Sequence, residues 1–102
     1  MKDMELFCFQ IISNVGGARS LYIEAIQEAK SGNYESAIQK VKEGKELFVL
    51  AHQNHAKIIQ KEANGEMVNL SLLLIHAEDQ LMSAEAFGIL AEEFIDVYKK
   101  IR

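Results

Sequence analysis

His76 and Asp79 are the residues of this chain whose types and spacing best suit chemistry. They lie in Leu70-Ser71-Leu72-Leu73-Leu74-Ile75-His76-Ala77-Glu78-Asp79-Gln80-Leu81-Met82, where a histidine follows an almost unbroken apolar run and an acid follows three residues later. In a helix, His76, Asp79 and Gln80 share one face within a single turn. The apolar residues on the other faces would hold that helix rigid. An imidazole beside a carboxylate on a rigid helix suits proton, metal or phosphoryl chemistry. Asn69, His76, Asp79, Gln80 and Ser83 together form a narrow polar line on a predicted third helix.

Such a line has three readings. It is a hydrogen-bonded seam that fixes register between packed helices, a metal site, or the setting of a nucleophilic imidazole. Spacing alone favours the first, with His76 a satisfied interior histidine. A dinuclear carboxylate site is disfavoured, because those bundles need Glu-x-x-His on two helices and this chain has a single His-x-x-Asp. Zinc would need further ligands. His52 and His55 could supply them, but their setting among Gln53, Asn54 and Lys57 reads as solvent-exposed. Cys8 is the one cysteine and cannot form an internal disulfide. Between Phe7 and Phe9 it reads as a buried, unreactive thiol.

The elements that must position these residues are helices. The chain has 102 residues, which fits a single domain over 1–102. It has no proline and six glycines, which favours long uninterrupted helices over a turn-rich β fold. Hydrophobic residues make up 49% and charged residues 25%, a globular rather than a disordered balance. The net charge of −4 argues against a nucleic-acid partner. The two basic concentrations, Lys40-Val41-Lys42-Glu43-Gly44-Lys45 and Lys99-Lys100-Ile101-Arg102, read as a solvated face and as a helix end whose cations complement the dipole. No stretch is apolar and long enough to span a bilayer.

Apolar periodicity predicts helices over about 3–30, 34–63 and 68–100. Turns fall at Ser31-Gly32-Asn33, with Asn33 as a cap for the second helix, and at Asn64-Gly65. Gly16-Gly17 permits either a kink or a close backbone approach. Gly44 costs the second helix about 1 kcal/mol relative to alanine, so a packing reason is expected there. The third helix is apolar on most of its circumference, through Leu72, Leu73, Leu74, Ile75, Leu81, Met82, Ile89, Leu90, Phe94, Ile95 and Val97. Three helices cannot enclose one of their own number, so the excess points to self-association through this helix. The fold class read from the sequence is all-α, an antiparallel three-helix bundle.

Several motifs in order carry a resemblance that covers almost the whole chain. They are Gly17-Ala18-Arg19-Ser20 with Glu24-Ala25, then Ala29-Lys30-Ser31-Gly32-Asn33-Tyr34 with Ala37. Ala51-His52, Ile59-Gln60-Lys61-Glu62-Ala63-Asn64-Gly65, the His76 segment and Leu90-Ala91-Glu92-Glu93-Phe94 follow. The chain resembles the IIA component of the lactose/cellobiose-type sugar phosphotransferase system. The resemblance implies a three-helix protomer assembling as a homotrimer through the third helix, in the cytoplasm and without direct membrane insertion. It implies that His76 accepts a phosphoryl group from the histidine-containing phosphocarrier protein and passes it to the cysteine of the IIB component. It also implies that Asp79 from each subunit meets on the three-fold axis around one metal ion, magnesium.

The chain departs from the family's usual His-Ala-Gln-Asp-His-Leu-Met at Glu78 and Gln80, and from its usual Gln-Thr at His55-Ala56. Glu78 lies roughly 200° around the helix from His76 at 3.6 residues per turn. It would face a neighbouring element or subunit rather than the imidazole. The alternative reading is a non-catalytic helical trimer that binds partners or regulates, its site altered at these positions. A two-component histidine phosphotransfer bundle is disfavoured, since that class follows its histidine with lysine and glycine where this chain has Glu78-Asp79.

Overall fold

In the computed structural model, which describes residues 2–101 and the side chains of 3–101, the chain forms α1 (Lys2–Lys30), α2 (Tyr34–Ala63) and α3 (Leu72–Ile101). The three run up, down and up in a rod of 53 × 20 × 19 Å. Arg102, the end of the second basic run, lies outside the described residues.

One seam per helix builds the core. On α1 the buried positions are Met4, Cys8, Ile11, Val15, Ala18, Tyr22, Ala25 and Ala29. On α3 they are Leu74, Ala77, Leu81, Ala84, Gly88, Ala91 and Ile95. Steps of three and four alternate along both, the heptad pattern that keeps a seam facing its partner helix. α2 contributes Ala37, Val41, Gly44, Ala51 and Ile58. α1 packs against both other helices, whereas α2 and α3 share the sparsest contact.

The core changes character along its length. The first half of α1 meets the start of α3 through Ile11, Val15, Leu74 and Leu81. The second half is lined by Ala18, Ala25, Ala29, Ala37 and Ala91 around the Tyr22 ring, with Val41 and Ile95 beside them. The packing reason expected for Gly44 is found here. A Cβ at Gly44 would lie 2.6 Å from the Tyr22 ring, and one at Gly88 would lie 2.9 Å from it. Gly17 likewise marks a close approach, to Leu47, and α1 runs through Gly16-Gly17 without a break.

Both turns end their helices in the same way. Gly32 and Gly65 take φ of 84° and 83°, a conformation that costs glycine little. The Asn33 amide then donates to Glu28 O, and the Glu66 amide to Lys61 O, closing Schellman motifs. Asn33 occupies the N-cap position of α2 without making the expected side-chain cap. Its Nδ2 donates instead to Glu28 Oε2 at 2.9 Å.

α3 begins at Leu72, not near Val68 as periodicity suggested. Ser71 sets the boundary: its hydroxyl accepts the Leu74 amide at 3.1 Å and its carbonyl accepts the Ile75 amide. A capped start there leaves residues 66–71 as a connection. Asn69 therefore drops out of the polar line assigned to the helix. The basic residues near Gly44 form inter-helix pairs, Lys40 with Glu24 at 3.1 Å and Lys45 with Glu92 at 2.7 Å. No helix among the described residues is long and apolar enough to cross a membrane.

Candidate functional site

His76 lies in the second turn of α3, and its neighbours Leu74 and Ala77 are buried on the seam. The imidazole itself is exposed. The interior, satisfied histidine favoured by spacing is therefore corrected. The apolar run that suggested burial is divided between two faces: Leu74, Ala77 and Leu81 turn inward with Leu73 packed at the core's edge, while Leu72 and Ile75 face outward. A rigid, core-anchored backbone with an outward ring is the geometry a nucleophile needs.

The outward face is itself apolar. Leu72, Ile75, Met82, Ile89, Leu90, Phe94, Val97 and Ile101 are all exposed, Leu72 by 83% and Met82 by 72%. At roughly 100° per residue these positions cluster opposite the seam. Asp79 sits within this stripe, next to Ile75 and Met82 on the helix surface, and His76 lies at its α1-facing edge. The wide apolar surface of the third helix thus has one covered side and one bare side. An exposed apolar stripe of this length marks an association surface.

The two residues flanking Asp79 are both held within the chain. Glu78 Oε1 lies 2.9 Å from His55 Nε2 on α2. The His55 side chain is only 17% exposed, so the solvent-exposed reading of that histidine is corrected. His52 is exposed and stacks on Phe48, with ring centroids 6.2 Å apart. Glu78 therefore faces α2, away from the imidazole. Gln80 faces the other way, and its Oε1 accepts a hydrogen bond from Arg19 Nη1 on α1 at 2.7 Å. His76, Asp79 and Gln80 still lie within one turn. The sequence placed Arg19 in a motif but gave it no role; the small residues Gly17 and Ala18 beside it were the signal that its side chain lies against another helix.

Cys8 lies buried beneath this end of α3. Burial pushes its thiol above the ordinary value of 9.0, with Glu5 and then Glu78 adding to the effect. It stays protonated and is no nucleophile. Among the described residues, no three histidine, cysteine, aspartate or glutamate side chains group closely enough to hold a metal ion. His52, His55 and His76 do not form the zinc set that spacing left open. Asp79 is a single carboxylate on the bare face, so one chain alone offers no closed site. A groove of 490 Å³ runs between α2 and α3 over Val41 and Ile95. Its α3 lining begins at Glu92, about 24 Å along the helix from His76, and it takes no part in the site.

Residues 6–99 match the protein family described as "PTS system, Lactose/Cellobiose specific IIA subunit". The chain is 42% identical over 100 residues to the lichenan-specific phosphotransferase enzyme IIA component of Bacillus subtilis strain 168, covering 98% of this chain and 91% of that protein. It is 34% identical over 98 residues to the lactose-specific EIIA component of Staphylococcus epidermidis, covering 96% and 94%. Among solved structures it is similar to the cellobiose-specific enzyme IIA of Bacillus anthracis, with a TM-score of 0.92 and 46% identity, over 94% of this chain and 88% of that one.

Proposed function

The chain belongs to the lactose/cellobiose-specific IIA family of the sugar phosphotransferase system, a family of phosphotransferase phosphocarriers, and from that membership we propose that His76 is its phosphoryl acceptor. The donor is the histidine-containing phosphocarrier protein and the recipient a cysteine of the IIB component, serving uptake of a lactose/cellobiose-type sugar at the cytoplasmic side of the membrane.

The observation that supports this most is the setting of His76: exposed, on a helix held by a packed seam, at the edge of a long association surface. In the first transfer a nitrogen–phosphorus bond of the donor histidine breaks as one forms to a ring nitrogen of His76. In the onward step that bond breaks and a sulfur–phosphorus bond forms, with the cysteine thiolate supplying the electron pair. Phosphoryl transfer of this kind asks mainly for in-line positioning and for donors to the phosphoryl oxygens. The pairing of Glu78 with His55 turns that carboxylate toward α2 and away from the imidazole.

The bare α3 face supports a trimer built through this helix. Burying that face would take the Asp79 carboxylates out of water together, which is costly without protons or a cation. A hard cation such as magnesium, held by Asp79 of each subunit, meets that need. When bound it supplies charge neutralisation.

Incubation with phosphoenolpyruvate, enzyme I and the phosphocarrier protein, followed by intact mass, tests the carrier reading. One acid-labile phosphoryl adduct is expected in the native chain and none in His76→Ala. An unmodified native chain, beside a family member that is modified, would leave the partner-binding alternative. Sedimentation of Asp79→Leu with and without magnesium tests the shared ion; a native trimer indifferent to chelation, and no more stable in the variant, counts against it.

A further inference from the structure

We propose that Arg19 is a positioning residue for phosphoryl transfer at His76, acting through Gln80; the inference rests on the carrier reading above. A guanidinium has donors only. The Gln80 atom 2.7 Å from Arg19 Nη1 is therefore the carbonyl oxygen Oε1. With Oε1 fixed toward α1, the two N–H bonds of Nε2 point away from it.

Gln80 lies one turn beyond His76 on the same flank of α3. Helical side chains lean toward the N-terminus, so the amide reaches back over the turn that carries His76. The N–H bonds then form a donor pair beside the imidazole. A phosphoryl group on His76 brings acceptor oxygens and close to two negative charges. The amide in this orientation stabilises them, whereas a flipped amide would present its oxygen and repel. Accepting from a cation also strengthens the amide's own donation.

Arg19 is itself held in place. Its Cζ lies 5.1 Å above the centre of the Phe87 ring on α3, and the adjacent Ala18 is buried. Its Nε is buried with no hydrogen-bond partner among the described residues. Here the guanidinium is set by its ring contact and by one strong bond, and that bond is the one that orients Gln80.

The test uses the native chain, Gln80→Glu and Arg19→Met, each equilibrated with phosphorylated carrier protein. Gln80→Glu keeps a partner for Arg19 and the fold, but replaces the donor pair with a carboxylate. The expected result is a shift of the Gln80 side-chain amide resonances when the native chain is phosphorylated. The exchange equilibrium should move toward the donor by about tenfold in either variant, the scale of one charge-assisted hydrogen bond. Arg19→Met should also remove the amide shift, a change that a merely structural role would not produce. If Arg19→Met does not fold, Gln80→Glu and the native spectrum decide. Amide resonances that do not move in phosphorylated native chain, an amide shift kept in Arg19→Met, or native equilibrium in Gln80→Glu, each overturn the proposal. A native chain that takes no phosphoryl group at His76 overturns the carrier reading and this inference with it.

Discussion

Replacing Gly44 with alanine should destabilise the bundle, although alanine is the better helix former. The added Cβ would stand 2.6 Å from Tyr22 Cε1 and 2.9 Å from Cδ1, where carbon atoms normally rest about 3.5–4.0 Å apart. The ring must therefore retreat by about 1 Å. Its opposite edge blocks that movement, because the space at Gly88 is equally tight, with a Cβ there 2.9 Å from Tyr22 Cζ. Tyr22 is 2% exposed and so has no route to solvent. Overpacking of this kind costs about 1–3 kcal/mol, and the ring's confinement places it toward the upper end. Better helix propensity returns about 1 kcal/mol. The net expectation is a loss of about 1–2 kcal/mol, a fall in urea midpoint of about 0.5–1 M at the m-value of a small domain. Gly16→Ala is the control. It is an exposed helical position with nothing within 4 Å of the new Cβ, so it should gain about 0.5–1 kcal/mol. Urea unfolding followed by circular dichroism, at one protomer concentration because association shifts apparent stability, measures both. A Gly44→Ala midpoint at or above the native one would refute the wedge reasoning, whatever Gly16→Ala does.

Three further outcomes follow from the same geometry. Ser71→Ala removes the bond from the Leu74 amide; a loss of about 1 kcal/mol is expected, with faster amide exchange in the first turn of α3 and slower phosphorylation one turn later at His76. Glu78→Gln should change the rate of phosphoryl acceptance by less than about fivefold, since a unit charge about 9 Å away across the helix is worth only about 0.5 kcal/mol in water; a larger acceleration would show that Glu78 faces the imidazole after all. Alkaline unfolding should begin above about pH 9. Burial holds the Cys8 thiol and the Tyr22 phenol above their ordinary values of 9.0 and 10.0, so the unfolded chain ionises first, and stability present below pH 9 is lost as pH rises through the folded values. Cys8→Ala should flatten the first part of that decline in a urea series across pH.

Much of this molecule is legible along the chain. Periodicity without proline dictates three long helices, and Gly32 and Gly65 dictate where two of them stop, because only the left-handed conformation lets the next amides reach back to the helix end. The surplus of apolar residues on the third helix could be counted before any neighbour was known. The order of motifs along the chain carried the family resemblance, and helix geometry alone placed Glu78 away from the imidazole.

Helical periodicity states which residues share a face, and it is silent about what covers that face. The tertiary structure alone decided that His76 points outward, because the seam turns Leu74, Ala77 and Leu81 inward and leaves Leu72 and Ile75 outside with the histidine. The start of α3 likewise depended on one hydroxyl, Ser71, competing with an apolar run that could have extended the helix to Val68. The pairs His55–Glu78 and Arg19–Gln80 join residues 23 and 61 positions apart, and no local signal fixes such a match. Each exists because α1 and α2 flank α3 at a particular rotation, set by the alternating seam and by Tyr22 held between two glycines.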